Sequence, residues 1–278
     1  MDSSLQSPAP SGQIVYGLMM ILIAFVAGFV LELLYKTTAK NANRFMTLLD
    51  YTAGSEDMPI TIRQDLSKYP DAKPIGLSMN ERTGIEFAYS FYIYVQPSTF
   101  TGQDHLKHVF HKGFACPWPL MGPGVFMKGD TNTMRIFMNT YKNPYTFVDV
   151  RNIPVDKWVH VVLNCYKSGL DVFVNGNLAT RLSFKDTIPY QNFQDLILFS
   201  NARYSSFTGS TMPALGGSEN TFHIDGAFKG YLSNLIYTRY ALSVTEIQTL
   251  MAAGASTKMR QKSMDKPPYL ADDWWANQ

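Results

Sequence analysis

His105, His108 and His111 recur at intervals of three. On a helix, imidazoles so spaced would approach one metal ion, but this segment leads into a strand candidate, which scatters the rings. Surface or loop histidines are the expectation. His223 and Asp225 fall on one face of another strand candidate, where a local hydrogen bond is the simplest use of the pair. Glycoside hydrolysis requires two carboxylates about 5 to 9.5 Å apart. Glu81 and Glu86 are separated by a turn at Gly84, and Asp225 has no carboxylate two positions away. No serine or cysteine stands in a recognisable nucleophile motif, so a catalytic triad is unsupported. The chain therefore reads as non-enzymatic, with no cofactor.

The elements around these residues are β-strands. In Trp158–Gly176, Val159, Val161, Leu163 and Cys165 alternate with Trp158, His160, Val162 and Asn164, the period of a strand with one face inward. Lys167-Ser168-Gly169 reads as a turn, Val172–Val174 as the returning strand, and Asn175-Gly176 as a tight hairpin turn. In the stretch 85–95, Phe87, Tyr89, Phe91, Ile93 and Val95 form a nearly continuous apolar face, with Glu86, Ala88, Ser90, Tyr92 and Tyr94 opposite. Further strands are expected at 109–112, 124–128, 133–139, 145–150, 178–184, 196–200, 221–228 and 231–237, while 97–108 breaks the pattern. Short strands punctuated by Gly, Pro and Asn predict a mostly β, two-sheet antiparallel jelly-roll sandwich; no repeat of blade length supports a propeller. Ser243-Val244-Thr245-Glu246 predicts a capped helix from Val244 to about Ala253 that stops at Gly254.

A strand Trp158-x-His160-x-Val162, a short turn and a strand ending Asn175-Gly176 resemble the central hairpin of the laminin-G-like, concanavalin A-like jelly-roll family. The stretch 87–95 resembles its first long strand. The segment from Phe228 through Gly230 to Tyr237, with Ala241-Leu242-Ser243 and Glu246-Ile247, resembles its last strand and helical cap. Trp158, His160, Asn175, Gly176 and Gly230 thereby take structural roles. The resemblance covers roughly residues 80–254 and implies fold more than function, because the family spans sugar binders and protein-binding modules. Its calcium-binding members would place rim ligands near Asp130, Asn132, Asp149 and Asn175. Asn175 and Ser233-Asn234 stand where acidic residues are common, so no metal is expected, and carbohydrate is a minor expectation.

The amino-terminal end differs from the rest. After a tail at 1–13, residues 14–35 contain Glu32 as their one ionisable carboxylate and would span about 33 Å as a helix, against a hydrocarbon core of roughly 30 Å. A transmembrane helix is the expectation. A cleaved signal peptide would carry a basic region first, whereas no Lys or Arg precedes Lys36. Lys36, Lys40 and Arg44 follow the helix, which predicts a single-pass protein with its bulk on the cytosolic side. Residues 36–79 read as a juxtamembrane helix, continuing through Thr37–Leu49, then a connector with a short strand at Ile60–Ile62.

A net charge of +2 argues against nucleic acid. Cys116 and Cys165 read as two thiols rather than a disulfide framework. Residues 255–278 form a tail with basic side chains, then Tyr269, Leu270, Trp274 and Trp275; these, with Trp118 of a Pro-rich loop, are the candidate interaction residues. An anchor helix followed by a jelly roll resembles minor structural proteins of large icosahedral DNA viruses with an internal membrane. The expected partners are then a bilayer and major capsid or other shell proteins, at the virion inner membrane and capsid inner face. The alternatives are a membrane-tethered carbohydrate-binding or adhesion domain and an accessory subunit of a cellular membrane complex.

Overall fold

The computed structural model describes residues 10–42, 45–57, 59–78, 85–117, 120–143, 146–204 and 223–260. The chain divides into two compact units at Phe45. The first is α1, Pro10–Ala42. Its segment Ile14–Lys36 has mean hydropathy 2.7, none of it buried, and is long and apolar enough to cross a membrane, a test that a signal sequence also passes. Glu32 pairs with Lys36 at 2.7 Å, one turn on, so the one carboxylate of the span sits beside a cation at its end.

The second unit is a two-sheet sandwich. Its strands are β1 (Phe45–Gly54), β2 (Ile60–Ile62), β3 (Phe87–Val95), β4 (Leu106–Gly113), β5 (Met121–Lys128), β6 (Met134–Met138), β7 (Thr146–Val150) and β8 (Trp158–Tyr166). They continue with β9 (Gly169–Val174), β10 (Asn177–Ser183), β11 (Leu196–Leu198), β12 (Arg203–Tyr204), β13 (Ile224–Ala227) and β14 (Gly230–Thr238), followed by α2 (Val244–Ala253). One sheet runs β1-β14-β3-β8-β9-β10; the other runs β12-β13-β4-β5-β6-β7, with β11 bridging β4 and β2.

The alternation in β3 and β8 sets the core. Phe91 opposes Val161 and Ile93 opposes Val159 across the antiparallel ladder, and all four side chains are fully buried. They meet Val125, Met127, Ile136 and Met138 of the facing sheet in one cluster. Each such side chain contributes about 1.5 to 3 kcal/mol on leaving water. The opposite face of the same strands is also covered, since Ala88 and Val162 pack under Tyr240, Leu242 and Ile247. Asn164 holds this layer by accepting from the Leu242 N–H at 3.0 Å and donating to its carbonyl at 2.8 Å. Tyr92 donates to the Met251 carbonyl at the end of α2. That helix starts in the expected capping box of Ser243 and Glu246 and ends at Gly254.

Two expectations about the chain before residue 80 are corrected. The helical run through Thr37–Leu49 stops at Ala42, and Phe45–Gly54 is a strand hydrogen-bonded beside β14. Leu48, Leu49 and Ala53 enter the core cluster, so burial decides in favour of the strand. The sandwich thus begins well before residue 80. Its β1 edge is closed by the chain's own later segment, which pairs parallel to it at Thr52 and Met259. The Thr52 N–H donates to the Lys258 carbonyl and the Arg260 N–H donates to the Thr52 carbonyl. Residues 106–108, read as pattern-breaking, are the start of β4.

Candidate functional site

Asn175 and Gly176 adopt φ of 47° and 78° between β9 and β10, the two-residue turn expected of that pair. Asn175 Oδ1 accepts from the His160 N–H at 2.9 Å, which ties the turn to β8. The His160 ring stacks on Tyr92 at 4.8 Å, and its Nε2 lies 2.8 Å from Ser90 Oγ. Burial lowers its pKa to about 4, and its Nδ1 is buried with no hydrogen-bond partner among the described residues. Both partners of the Ser90–His160 contact are closed to solvent. Gly230 has φ of 150° and pairs with Val95; a Cβ there would overlap the Tyr94 carbonyl. Trp158 is 38 % exposed with its ring edge on Tyr94. Trp118, Tyr269, Leu270, Trp274 and Trp275 lie outside the described residues.

The histidine expectation is corrected for His108 and His111, which lie in β4, whereas His105 stands in the loop before it. A bulge in β4 shifts its register against β5 between His108 and Phe110, which changes strand parity by one residue. His108 and His111 therefore share a face, fully buried, with His108 Nε2 2.6 Å from His111 Nδ1. The Ser200 N–H donates to His108 Nδ1 at 3.0 Å, which leaves the proton on Nε2 of the neutral ring. His108 then donates to His111, and His111 Nε2–H donates to the Phe114 carbonyl at 2.7 Å. Every ring nitrogen is used when both imidazoles are neutral. Burial pushes both pKa values down, His111 to about 4 and His108 well below the ordinary range. The third ring, His105, packs against His223 instead.

Asp225 does not pair with His223. It takes the buried Lys107 ammonium and the Arg203 guanidinium, and Lys107 above all holds its carboxyl below the usual value. The four residues near which calcium-binding members would place rim ligands are likewise engaged separately: Asp130 with Lys128, Asn132 with the Ile153 carbonyl, Asp149 with two nitrogens of a forked Arg135 contact, and Asn175 in the turn. Among the described residues no group of three His, Cys, Asp or Glu is placed to hold a metal. Cys165 is buried in the core and Cys116 is half-buried; both are free thiols.

One surface feature was not legible in sequence. A groove of about 800 Å³ opens at the rim, between the segment after β6 and the loop after β10. Tyr141, Phe184 and Ile188 form its apolar walls, with Lys142, Lys167 and Asp186 around them. One wall is held by the Tyr141 N–H to the Ile188 carbonyl, the Tyr190 N–H to the Asn139 carbonyl and an edge contact of the Tyr141 and Tyr190 rings. The other is held by the Phe184 N–H to the Ser168 carbonyl. Tyr141 is 68 % exposed, a large aromatic left in water beside an apolar wall. The volume lies within the range of ligand sites. Its residues come from three distant segments, so no local pattern signals them.

A family profile described as the concanavalin A-like lectin/glucanases superfamily matches residues 77–248. Similar solved structures include the botulinum neurotoxin serotype D binding domain, at 11% identity and TM-score 0.49, with 73% of this chain covered and 41% of that one. The receptor binding domain of the botulinum neurotoxin C/D mosaic serotype gives 9% identity and TM-score 0.49, with coverage of 76% and 43%. A Trypanosoma rangeli sialidase gives 14% identity and TM-score 0.37, with 60% and 23%. The chain thus spans less than half the length of these proteins. No curated protein matches the sequence.

Proposed function

The chain belongs to the concanavalin A-like lectin/glucanases superfamily, and from that premise we propose that it is a non-enzymatic, single-pass membrane protein whose sandwich docks a protein layer beside the bilayer. The observation that carries this reading is the Ile14–Lys36 helix, apolar throughout its centre, unburied, and leading within a few residues into strand β1 of the sandwich. Membrane insertion removes the cost of holding such a surface in water. A non-catalytic role is supported by carboxylates committed to structure, Asp149 to Arg135, Asp171 to Arg181 and Asp225 to Lys107. The finer form of the proposal is a minor capsid protein between an internal viral membrane and its shell, with Lys36, Lys40 and Arg44 favouring the cytosolic side for the sandwich. The exposed Tyr141 beside the rim groove favours a second reading, a tethered carbohydrate- or receptor-binding domain.

The test is expression of the full chain in cells, followed by alkaline carbonate extraction and protease protection of sealed vesicles. The expected result is a full-length chain that stays with membranes, its sandwich digested from the cytosolic side. A shortened, soluble, secreted product would identify the helix as a cleaved signal and overturn the proposal. Binding of the purified chain to a glycan array would move the assignment to the second reading.

A further inference from the structure

The rim groove is apolar at its walls and cationic at its edge. Lys142 and Lys167 line it and Lys185 adjoins it in sequence; none of the three forms an ion pair among the described residues. With Asp186 subtracted, the local charge is about +2. The occupant this surface fits is an acidic segment rich in large aromatics, because aromatic burial supplies affinity and opposite charge supplies register. One such segment belongs to the chain itself. Tyr269-Leu270-Ala271-Asp272-Asp273-Trp274-Trp275 carries two carboxylates, no basic side chain and four large apolar side chains.

Chain length decides between a tail folding back and a tail from another molecule. Arg260 is fixed against Thr52 on the β1 edge, whereas the groove adjoins the β8–β9 turn and the loop after β10, at the other end of the six-stranded sheet. The β8–β9 turn lies three strand spacings from β1, about 14 Å, and seven residues along β8 from the level of Thr52, about 23 Å, which makes about 27 Å in a straight line. Residues 261–268, fully extended, reach about 26 to 29 Å. That leaves almost nothing for the detour around the sheet edge or over α2. We propose that the groove receives the 269–275 segment of a second copy of this chain, so that copies link tail to rim. The contact is heterologous, and repeated copies can extend it into a row or close it into a ring.

The experiment uses the full chain in detergent micelles and needs neither a bilayer nor a shell, so its failure is distinct from failure of the anchoring proposal. Self-association is read by sedimentation velocity across protein concentration, and groove occupancy by anisotropy of a labelled peptide of sequence YLADDWWANQ. The expected result is concentration-dependent association that weakens at least tenfold in Lys142→Glu/Lys167→Glu and in Trp274→Ala/Trp275→Ala. Mixing Lys142→Glu/Lys167→Glu chains with Asp272→Lys/Asp273→Lys chains restores it, which separates lost contact from lost fold. Association that none of these changes alters overturns the proposal. So does a chain that is monomeric throughout, whether the peptide is ignored or binds after Trp274→Ala/Trp275→Ala has emptied the groove, the latter marking a tail that folds back.

Discussion

Lowering the pH from 7.5 to 4.5 should destabilise the sandwich steeply, and the three buried histidines set the size of the effect. His111 and His160 are held near pKa 4 in the folded chain against an ordinary value of 6.5, with burial as the first cause. Between those values the unfolded chain binds a proton that the folded chain refuses, so stability falls as pH falls, by about 1.4 kcal/mol per pH unit for each ring. By pH 4.5 the two have together withdrawn about 5 kcal/mol. His108 acts in the same direction, its cause again burial and then the His111 charge. A loss of that size rivals the whole stability of a typical domain, about 5 to 15 kcal/mol. The histidines dominate the middle of this window: Lys112, which burial lowers to about 8, adds to the slope only near its top, and carboxylates such as Asp225, lowered by Lys107, titrate towards and beyond its foot. The assay is urea unfolding of the full chain in micelles at pH 7.5, 6.5, 5.5 and 4.5, followed by tryptophan fluorescence. His160→Gln and His111→Gln should each flatten the slope by about 1.4 kcal/mol per unit whatever they do to stability at pH 7.5. Stability that stays level from pH 7.5 to 4.5, or slopes unchanged by both substitutions, would refute the reasoning.

Three smaller perturbations follow from the same structure. Gly230→Ala forces a Cβ onto the Tyr94 carbonyl at a φ that L side chains rarely adopt; a loss of about 2 to 4 kcal/mol is expected in thermal melting. Ser243→Ala removes the hydroxyl that accepts from the Glu246 N–H and should cost about 1 kcal/mol, with α2 still formed by circular dichroism. In the native chain a thiol reagent should modify Cys116 and spare Cys165, whose burial also raises its pKa, and unfolding without reductant should release both. A denatured chain with no reactive thiol would contradict the free-cysteine assignment.

Legibility in the sequence tracked how local each signal was. The β3 and β8 strands announce themselves because every second residue is apolar and each inward side chain finds its place by parity alone. The Ser243 cap and the Asn175-Gly176 turn are equally local. Strand β1 misleads because Phe45, Met46 and Leu49 fit a helical period after a long helix, and only the pairing with β14 settles them. The imidazole pair is hidden by the bulge after His108, which puts residues three apart on one strand face. A polar pair on either side of Val109-Phe110 was the one available hint. The groove is the extreme case, assembled by chain folding from three segments whose outermost positions, Tyr141 and Ile188, are more than forty residues apart.

The parallel bridge at Thr52 has a mechanical consequence. The chain enters the sandwich through β1, and its last described residues, Lys258 to Arg260, run along the same strand in the same direction. Tension between the chain before β1 and the chain after Arg260 would drag the two segments lengthwise past each other, straining their hydrogen bonds together instead of peeling them one by one. Such a joint resists a steady tug far better than an unzipping one of equal bond number.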